Sequence, residues 1–253
     1  MDYRDESHST SGVVAEQIAR RNPWYVESHL EWAQKPSIRL IYQERYRYLL
    51  DCIERARARL GPKLRLLDAG CGDGYWLARL SNIDDLDLTG ADFNPVRVER
   101  ARQVVPQAHI LHRDLANLKT EEPFDIILLN QVVEHVKDDD GLLHAMREML
   151  RPGGTLILGT PNEGSALQRW SRLRKGTSFQ TDHVHFYAET QIRRKILRAG
   201  FVIDSVMHEA FYVGSDRLYY SMTKRKWGFK LLQLMSRLLP SQCSDFYFEC
   251  RLP

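Results

Sequence analysis

A short glycine-rich stretch carries the clearest chemical information in this sequence of 253 residues. Gly70, Gly72 and Gly74 stand at alternate positions within residues 66–76, LLDAGCGDGYW. Glycines let a backbone turn tightly and let a ligand approach more closely than a Cβ atom would permit. The stretch follows an apolar run and opens a helical pattern, so it predicts a ligand-binding turn between a strand and a helix. A purely structural turn is the alternative when such spacing stands alone.

Two acidic residues flank these glycines and bear on the charge of the ligand. A dinucleotide fingerprint reads G-x-G-x-x-G, whereas the third glycine here comes one residue early. Asp68 and Asp73 would also repel a pyrophosphate. We therefore expect a ligand with positive charge near the loop, such as an ammonium or a sulfonium.

Two more acids stand where later apolar runs end. Asp92 follows Gly74 by 18 residues, at a place suited to accept hydrogen bonds from ribose hydroxyls. Asp114 ends the third run, where a carboxylate could accept a hydrogen bond from an adenine amino group. Each acid alone would pass for a helix cap or a solvated turn residue. Together with Asp68, at successive strand ends, they indicate a site extended along an adenosine.

Three histidines are candidates for acid–base chemistry because imidazole titrates near neutral pH. His135 follows Glu134 just after the fourth apolar run, and His183 and His185 alternate in a short extended stretch before a helix. We assign base catalysis to His135 and His183, and substrate contact to His185. The alternative for each is structural, a ring that ties down a loop.

The scaffold that must position these residues alternates short apolar runs with longer helical segments. This rhythm is typical of a parallel sheet covered by helices on both faces. The predicted strands are 64–67, 86–91, 109–112, 124–130, 155–159 and 201–206, with a last run at 246–250 that could close the sheet as an edge strand. Helices are predicted at 75–80, 95–104, 139–150 and 189–199.

The chain divides near residue 60. Residues 1–60 are predicted to form a helical N-terminal extension or lid, broken at Pro23 and Pro36, and residues 61–253 the main domain. Two segments, about 162–185 and 209–244, exceed what the core of such a domain needs. With Trp24, Tyr25 and Trp32, these segments are expected to cover the substrate.

The two cover segments are rich in basic and aromatic side chains. Residues 161–240 hold 14 Lys and Arg against 6 Asp and Glu, and we choose Arg169 and Tyr212 as substrate contacts. One interpretation is a solvated positive face over an apolar cluster. Another is a pocket for an anionic or glycosylated small molecule. A third is a basic amphipathic helix within 224–239 that makes peripheral membrane contact and reaches a lipid-linked substrate.

Composition excludes several classes of protein. The four cysteines are scattered without a C-x-x-C pair, so neither a zinc site nor a disulfide framework is indicated. No apolar run is long enough to cross a membrane, and the N-terminus lacks an apolar signal sequence. We expect a cytoplasmic protein. A nucleic-acid partner is disfavoured because no RNA-binding module is recognisable, and a homodimer is compatible with the sequence.

Several motifs in order resemble those of the class I S-adenosylmethionine-dependent methyltransferases. LLDAGCGDG is similar to their first motif, GADFNP to the ribose-binding strand end, and FDIILLNQVVEHV to the fourth strand. LRPGGTLILGTPN and HVHFYAETQIRRKILRAGF resemble the fifth strand and the segment before the sixth. The resemblance spans about residues 61–206. It implies an α/β, Rossmann-like fold with a mostly parallel seven-stranded sheet, helices on both faces, and an antiparallel last strand.

The resemblance also implies which residues bind S-adenosylmethionine, whose product is S-adenosylhomocysteine. Those lining its methionine and ribose portion would be Asp68, Gly70, Cys71, Gly72 and Gly74, with Asn130 and Gln131 at the edge of the methionine moiety. Asp92 would bind the ribose hydroxyls, with Phe93 and Asn94 beside the adenosine. Asp114 and Leu115 would flank the adenine.

One departure from a related pattern concerns metal. The stretch 131–135, QVVEH, is similar to the E-x-x-E-H pattern of ubiquinone-biosynthesis O-methyltransferases, which is linked to a divalent metal. Gln131 replaces the first glutamate and removes a hard, charged oxygen ligand. We therefore predict no metal.

The expected reaction is transfer of a methyl group to a small-molecule acceptor, most simply a hydroxyl of a sugar, polyketide or related metabolite. In-line positioning can lower such a barrier by roughly 7–11 kcal/mol, and a general base can add about 10²–10⁴-fold. Two rivals stay open: N-methylation of a small amine, which needs little base help, and a regulatory protein that binds S-adenosylmethionine without catalysis.

Overall fold

A seven-stranded sheet in the order β3-β2-β1-β4-β5-β7-β6 forms the centre of the structure. The structure is a computed structural model that describes residues 28–175 and 183–253. The strands are β1 (Leu64–Ala69), β2 (Leu86–Asp92), β3 (His109–His112), β4 (Phe124–Asn130), β5 (Leu150–Pro161), β6 (Val202–His208) and β7 (Asp245–Arg251). The first five pair in parallel. The predicted Rossmann-like fold is confirmed.

Helices connect the strands and cover both faces of the sheet. They are α1 (His29–Gln34), α2 (Pro36–Leu60), α3 (Tyr75–Leu80), α4 (Pro95–Val104), α5 (Asp139–Met149), α6 (Ala166–Lys175), α7 (Glu189–Arg198), α8 (Asp216–Thr223) and α9 (Lys226–Leu238). The helices predicted after β1, β2, β4 and before β6 are present within one or two residues of the expected bounds.

The sheet separates two apolar cores because side chains alternate along each strand. In β4, Ile126 and Leu128 face a core that also contains residues of α2, α3 and α4. Ile127 and Leu129 face the opposite core, which includes residues of α5 and α7. Every residue of β4 is buried, which explains why its sequence reads as a continuous apolar run.

The last strand does not occupy the sheet edge that the sequence suggested. β7 pairs antiparallel with β5 on one side and with β6 on the other. The five central residues of β7 are buried, whereas β6 is half-exposed along its length. The buried strand β7 therefore lies inside, and β6 forms the edge.

The described part of the N-terminal extension is helical, as predicted. α2 begins with Pro36 and ends at Gly61, whose φ of 109° is unfavourable for other residues. Ile53 and Ala56 of α2 lie in the same core as Leu66 of β1. A domain boundary at residue 60 stays a prediction, and Trp24 and Tyr25 lie outside the described residues.

The two predicted cover segments contribute helices rather than strands. α6 lies in the first segment, of which residues 176–182 are outside the description, and α8 and α9 lie in the second. Among the described helices, none combines the length and apolar character needed to cross a membrane. The four cysteines are buried free thiols, in agreement with the absence of a disulfide pattern.

Candidate active site

The glycine loop connects β1 to α3 at the carboxyl edge of the sheet. Gly70, Gly72 and Gly74 all have positive φ, at 84°, 52° and 79°. A Cβ atom on Gly70 would collide with the side chain of Val132, which follows β4. The loop therefore approaches the end of β4 as closely as a backbone can, and the spacing of glycines in the sequence reflects this requirement.

Asp68 lies beneath the loop and is almost fully buried. Its Oδ2 atom has no hydrogen-bond partner among the described residues. Burial, together with the charge of Asp92, raises the pKa of the Asp68 carboxyl to about 8. A buried carboxyl oxygen without a partner fits a site for a ligand of positive charge, as the sequence predicts.

Asp92, the last residue of β2, joins the loop to the start of α4. Its carboxylate accepts hydrogen bonds from the backbone N–H of Gly72 at 2.9 Å and of Asn94 at 2.8 Å. Burial nevertheless raises the pKa of Asp92. Each carboxylate oxygen can accept a second hydrogen bond, so the geometry leaves capacity for ribose hydroxyls.

Asp73 has a different role from the one that the sequence suggested. Its side chain is fully buried and accepts a hydrogen bond of 2.7 Å from the backbone N–H of His29 in α1. The Asp73 carboxylate also lies 4.0 Å from Arg97 and 3.8 Å from Arg100. These cations balance its charge, so the argument against a pyrophosphate rests on Asp68 and Asp92.

The residues expected around the adenosine lie at neighbouring strand ends. Phe93 is half-exposed, and Asn94 caps α4 by accepting hydrogen bonds from the backbone at residues 96 and 97. Asp114 is exposed and caps a 3₁₀ turn that begins with the buried Leu115. The capping roles considered from the sequence are thus present for Asn94 and Asp114, and their cofactor contacts stay predictions.

Asn130 is the last residue of β4, Gln131 follows it, and both line a cavity at this end of the strand. Asn130 accepts a hydrogen bond of 2.6 Å from the hydroxyl of Tyr247. Gln131 has a φ of 57° and donates a 3.1 Å hydrogen bond to Asp245. The left-handed conformation costs a non-glycine residue about 1–2 kcal/mol, and residues held in this way cluster at functional sites.

A cavity of about 490 Å³ opens beside these residues. Its lining brings together the loop residues Gly70, Cys71 and Gly72, Asn130 and Gln131 at the end of β4, and the histidines His135 and His183. A volume of this size accommodates a small molecule. Two of the three sequence-selected histidines therefore face the same space as the glycine loop.

His183 and Glu163 form a close acid–base pair in the cavity wall. The Nδ1 atom of His183 lies 2.6 Å from a carboxylate oxygen of Glu163, and the ring of His135 packs edge-on at 4.6 Å between centroids. A carboxylate in this position favours the tautomer with its proton on Nδ1, in which Nε2 carries the lone pair. Glu163 was missed from the sequence because its contact with His183 depends on the folded path of the chain.

The same two histidines also lie beside Glu134, which is buried. Glu134 accepts a 3.0 Å hydrogen bond from Thr160, its second oxygen has no hydrogen-bond partner among the described residues, and burial raises its pKa. One donor atom from each of Glu134, His135 and His183 lies within 4.8 Å of the others. Imidazole and carboxylate donors at this spacing could hold a divalent transition metal. The prediction of no metal therefore stays a prediction that needs an experiment.

The three residues chosen as substrate contacts are separated in the structure. Tyr212 lines the cavity and is held by hydrogen bonds to Ser171 and Asp216. Arg169 is exposed on α6, and the described residues of that helix that line the cavity are Gln168, Ser171 and Arg172. His185 lies outside the cavity lining, 3.6 Å from Asp139 of α5. Arg169 and His185 thus lie outside this lining because helix phase and local chain direction were not readable from composition, and their contacts with substrate stay predictions.

A buried charged cluster at the inner end of the cavity was also missed. Arg45 of α2 lies 2.6 Å from Glu209 and 3.2 Å from Asp245. Burial and the charge of Glu209 raise the pKa of Asp245 to about 8. These residues are far apart in sequence, and each resembles an ordinary surface charge until the sheet brings them together.

The N-terminal helices close the cavity with aromatic rings. Trp32 packs edge-on against Tyr42 at 5.6 Å, and Tyr42 stacks on Trp76 at 5.5 Å. His29 lies 2.6 Å from the Tyr42 hydroxyl, and burial with nearby arginines lowers its pKa to about 3. Trp32 and the neutral His29 therefore line the cavity, and the role of Trp32 as substrate cover stays a prediction.

Comparison with known proteins agrees with the geometry of this site. A family model described as "Methyltransferase domain" matches residues 42–206. A ubiquinone biosynthesis O-methyltransferase from Cereibacter sphaeroides is 39% identical over 105 residues, or 39% of this chain and 42% of that protein. A trans-aconitate 2-methyltransferase from Enterobacter sp. is 33% identical over half of each chain. The chain thus spans half or less of the length of these curated relatives.

Solved structures show the same architecture. The N-methyltransferase NodS from Bradyrhizobium japonicum, in complex with S-adenosyl-L-homocysteine, has a TM-score of 0.61 and 19% identity. The similarity covers 94% of this chain and 98% of NodS. At this level of identity the comparison shows the shared fold alone.

Proposed function

Because this chain belongs to the family of methyltransferase domains, we propose that it transfers a methyl group from S-adenosylmethionine to a hydroxyl of a small molecule. The observation that carries the proposal is the Glu163–His183 pair, which lines the same cavity as Gly70 and Gly72. A site for a cationic donor and a candidate base thus share one space of small-molecule size.

The loop side of the cavity supports binding of the donor. S-adenosylmethionine, when bound, supplies a methyl group attached to a positively charged sulfur. Asp68 offers a buried carboxyl oxygen to positive charge, and Asp92 offers acceptors to ribose hydroxyls. Asn130 and Gln131 would bound the methionine side, where both residues line the cavity.

His183 would take the proton from the acceptor hydroxyl. Glu163 orients the ring through Nδ1 and stabilises the imidazolium that forms when Nε2 accepts a proton. The cavity walls would hold the hydroxyl oxygen in line, about 3 Å from the methyl carbon. His135 packs against the ring of His183 and limits its motion.

The charge of the cavity supports an uncharged, hydroxylated acceptor, such as a sugar or a polyketide alcohol. Among the described residues, its lining carries four carboxyl groups, those of Glu163, Glu209, Asp216 and Asp245, and three guanidinium groups, those of Arg45, Arg97 and Arg172. Arg169, Arg174 and Lys224–Lys226 of the basic cover segments are exposed instead. The described lining therefore has no excess of positive charge that would attract an anionic acceptor, one of the expectations from the sequence.

N-methylation is the second candidate because the same four carboxyl groups favour an amine over an anion. An amine loses its proton in solution before it attacks, so it depends little on a base. The two candidates therefore differ in how strongly turnover depends on His183.

The test uses an acceptor identified by mass from cell extract incubated with methyl-labelled S-adenosylmethionine. With that acceptor, His183→Ala should lower kcat by about 10²–10⁴-fold and leave the KM for S-adenosylmethionine nearly unchanged. Glu163→Gln should lower kcat less, because the ring remains. His185→Ala is the matched control, since His185 lies outside the cavity lining.

Two other results would contradict the role of His183 as the base. Wild-type kcat in His183→Ala contradicts base catalysis, and with an amine as the identified acceptor it supports N-methylation. Loss of turnover on chelation, restored by one divalent metal, would show that Glu134, His135 and His183 hold a metal, and the base assignment would be wrong.

A further inference from the structure

Helix α9 is apolar on two opposite faces, and only one of them is buried. Phe229 and Leu232 belong to the core. Trp227 is 62% exposed, Leu231 42%, Leu234 53% and Leu238 74%. Positions i, i+4, i+7 and i+11 fall in one stripe along a helix, so these four side chains form a continuous outward stripe, here called the α9 stripe.

The α9 stripe cannot be buried by a simple rotation of the helix. The opposite face is fixed, because the backbone N–H of Phe211 donates a 3.0 Å hydrogen bond to the carbonyl of Leu232. Gly228 contacts the backbone of Met222 in α8 so closely that a Cβ atom would clash there. The fold therefore holds the stripe in the solvent-facing position.

Basic side chains lie along one flank of the α9 stripe. Lys226, Lys230 and Arg237 are exposed, and their spacing of four and seven residues places them on a second stripe next to the first. Lys224 and Arg225, also exposed, precede the helix. Residues 217–244 contain six Lys and Arg and no Asp or Glu.

We propose that the α9 stripe inserts into the boundary between headgroups and acyl chains of an anionic membrane, with the flanking cations on lipid phosphates. Trp and Leu on one side and Lys and Arg beside them are the residues that an interfacial helix uses. A second copy of this chain would present the same cations, so charge complementarity favours an anionic lipid surface over self-association.

The position of α9 connects this surface with the cavity. α9 packs against α8, and the α8 residues Tyr219 and Tyr220 line the cavity. Membrane contact would therefore bring the cavity near lipid. Binding of the α9 stripe to a membrane does not depend on methyl transfer, so it can be tested without an acceptor.

The test is flotation of the full chain with phosphatidylcholine vesicles that contain or lack phosphatidylserine. The wild-type protein should float with the anionic vesicles and much less with the neutral ones. Leu231→Ser/Leu234→Ser should weaken binding to anionic vesicles at least about tenfold. Lys226→Glu/Lys230→Glu should remove the preference for phosphatidylserine.

Leu197→Ser is the matched control because Leu197 lies on α7 and is 52% exposed, close to the value for Leu234. Thermal unfolding of each variant verifies that it folds. No flotation of the wild-type protein with anionic vesicles overturns the proposal, as does equal flotation of the Leu231/Leu234 variant. A wild-type dimer that does not float, and that the same variant dissociates, would assign the stripe to self-association and overturn it as well.

Discussion

Asp68 is the residue whose environment most constrains the ligand. Its carboxyl group is buried, has an oxygen without a hydrogen-bond partner among the described residues, and lies near the second buried acid Asp92. Ionising such a group is costly unless a positive charge arrives. The raised pKa, about 8, means that much of the carboxyl is protonated at neutral pH before a ligand binds.

Donor affinity should therefore depend on pH in a defined direction. Below about pH 8, Asp68 is mostly protonated, and a cationic ligand favours its ionised form, so binding should release up to one proton. Affinity for S-adenosylmethionine should rise as pH increases toward about 8 and then level off. Calorimetry in two buffers of different ionisation enthalpy measures the proton release.

Asp68→Asn is the control, since it keeps the size of the side chain and cannot ionise. This variant should bind more weakly above pH 8, with a flatter pH profile. S-adenosylhomocysteine, which lacks the sulfonium charge, should release fewer protons on binding to the wild-type protein. Equal proton release by Asp68→Asn and the wild type would contradict the role assigned to Asp68.

Among single residues, the sequence identified those whose role depends on neighbouring positions in the chain. Gly70, Gly72, Asp68 and Asp92 were recognisable because their positions at strand ends follow from nearby patterns. Asp73 was misjudged because its partners, His29, Arg97 and Arg100, come from other elements.

The loop between β1 and α3 is the element on which the donor site depends. Gly70 combines a positive φ with a contact to Val132 that leaves no room for a Cβ atom. Gly61 also has a positive φ, but no atom lies within 4 Å of the place where its Cβ would stand. Substitution of Gly61 therefore introduces backbone strain alone, whereas substitution of Gly70 introduces backbone strain and a steric clash.

Gly70→Ala should lower the free energy of unfolding by about 2–4 kcal/mol, and Gly61→Ala by about 1 kcal/mol. Gly70→Ala should also weaken binding of S-adenosylmethionine, whereas Gly61→Ala should not. Urea unfolding and calorimetry provide the two readouts. Val132→Ala in the Gly70→Ala background should recover part of both losses, and equal effects of the two single substitutions would show that the approach to β4 is unimportant.

Element positions were predictable where periodicity is strong and connections are short. β1 to β4 and their helices were found because each strand contains a short apolar run and is followed by a segment of helical periodicity. The place of β7 was not, since an antiparallel strand inserted between two others has no signature in its own sequence. The sequence also did not show which side chains of α8 and α9 are buried, because two opposite faces of α9 are apolar.

Over the whole molecule, buried polar contacts join the N-terminal helices to the site. The backbone of His29 in α1 is bound to Asp73 in the glycine loop, and Arg45 in α2 is bound to Glu209 and Asp245 at the inner end of the cavity. The N-terminal helices are therefore a structural part of the site. Such long-range pairs cannot be read from one sequence, because nothing in the local pattern of Arg45 distinguishes it from a solvated helix charge.

The most direct test of the proposed activity is to measure the stoichiometry of methyl transfer by the full chain. The wild-type protein, supplied with S-adenosylmethionine and its acceptor, should yield one S-adenosylhomocysteine for each methyl group found in the product. Asp92→Ala removes the hydrogen bonds that the carboxylate accepts from Gly72 in the loop and from Asn94 before α4. This variant should lose most of the turnover and bind the donor more weakly. Binding of S-adenosylmethionine without any labelled product across cell extract and alcohol and amine panels would contradict the proposed enzyme and favour a regulatory binding protein.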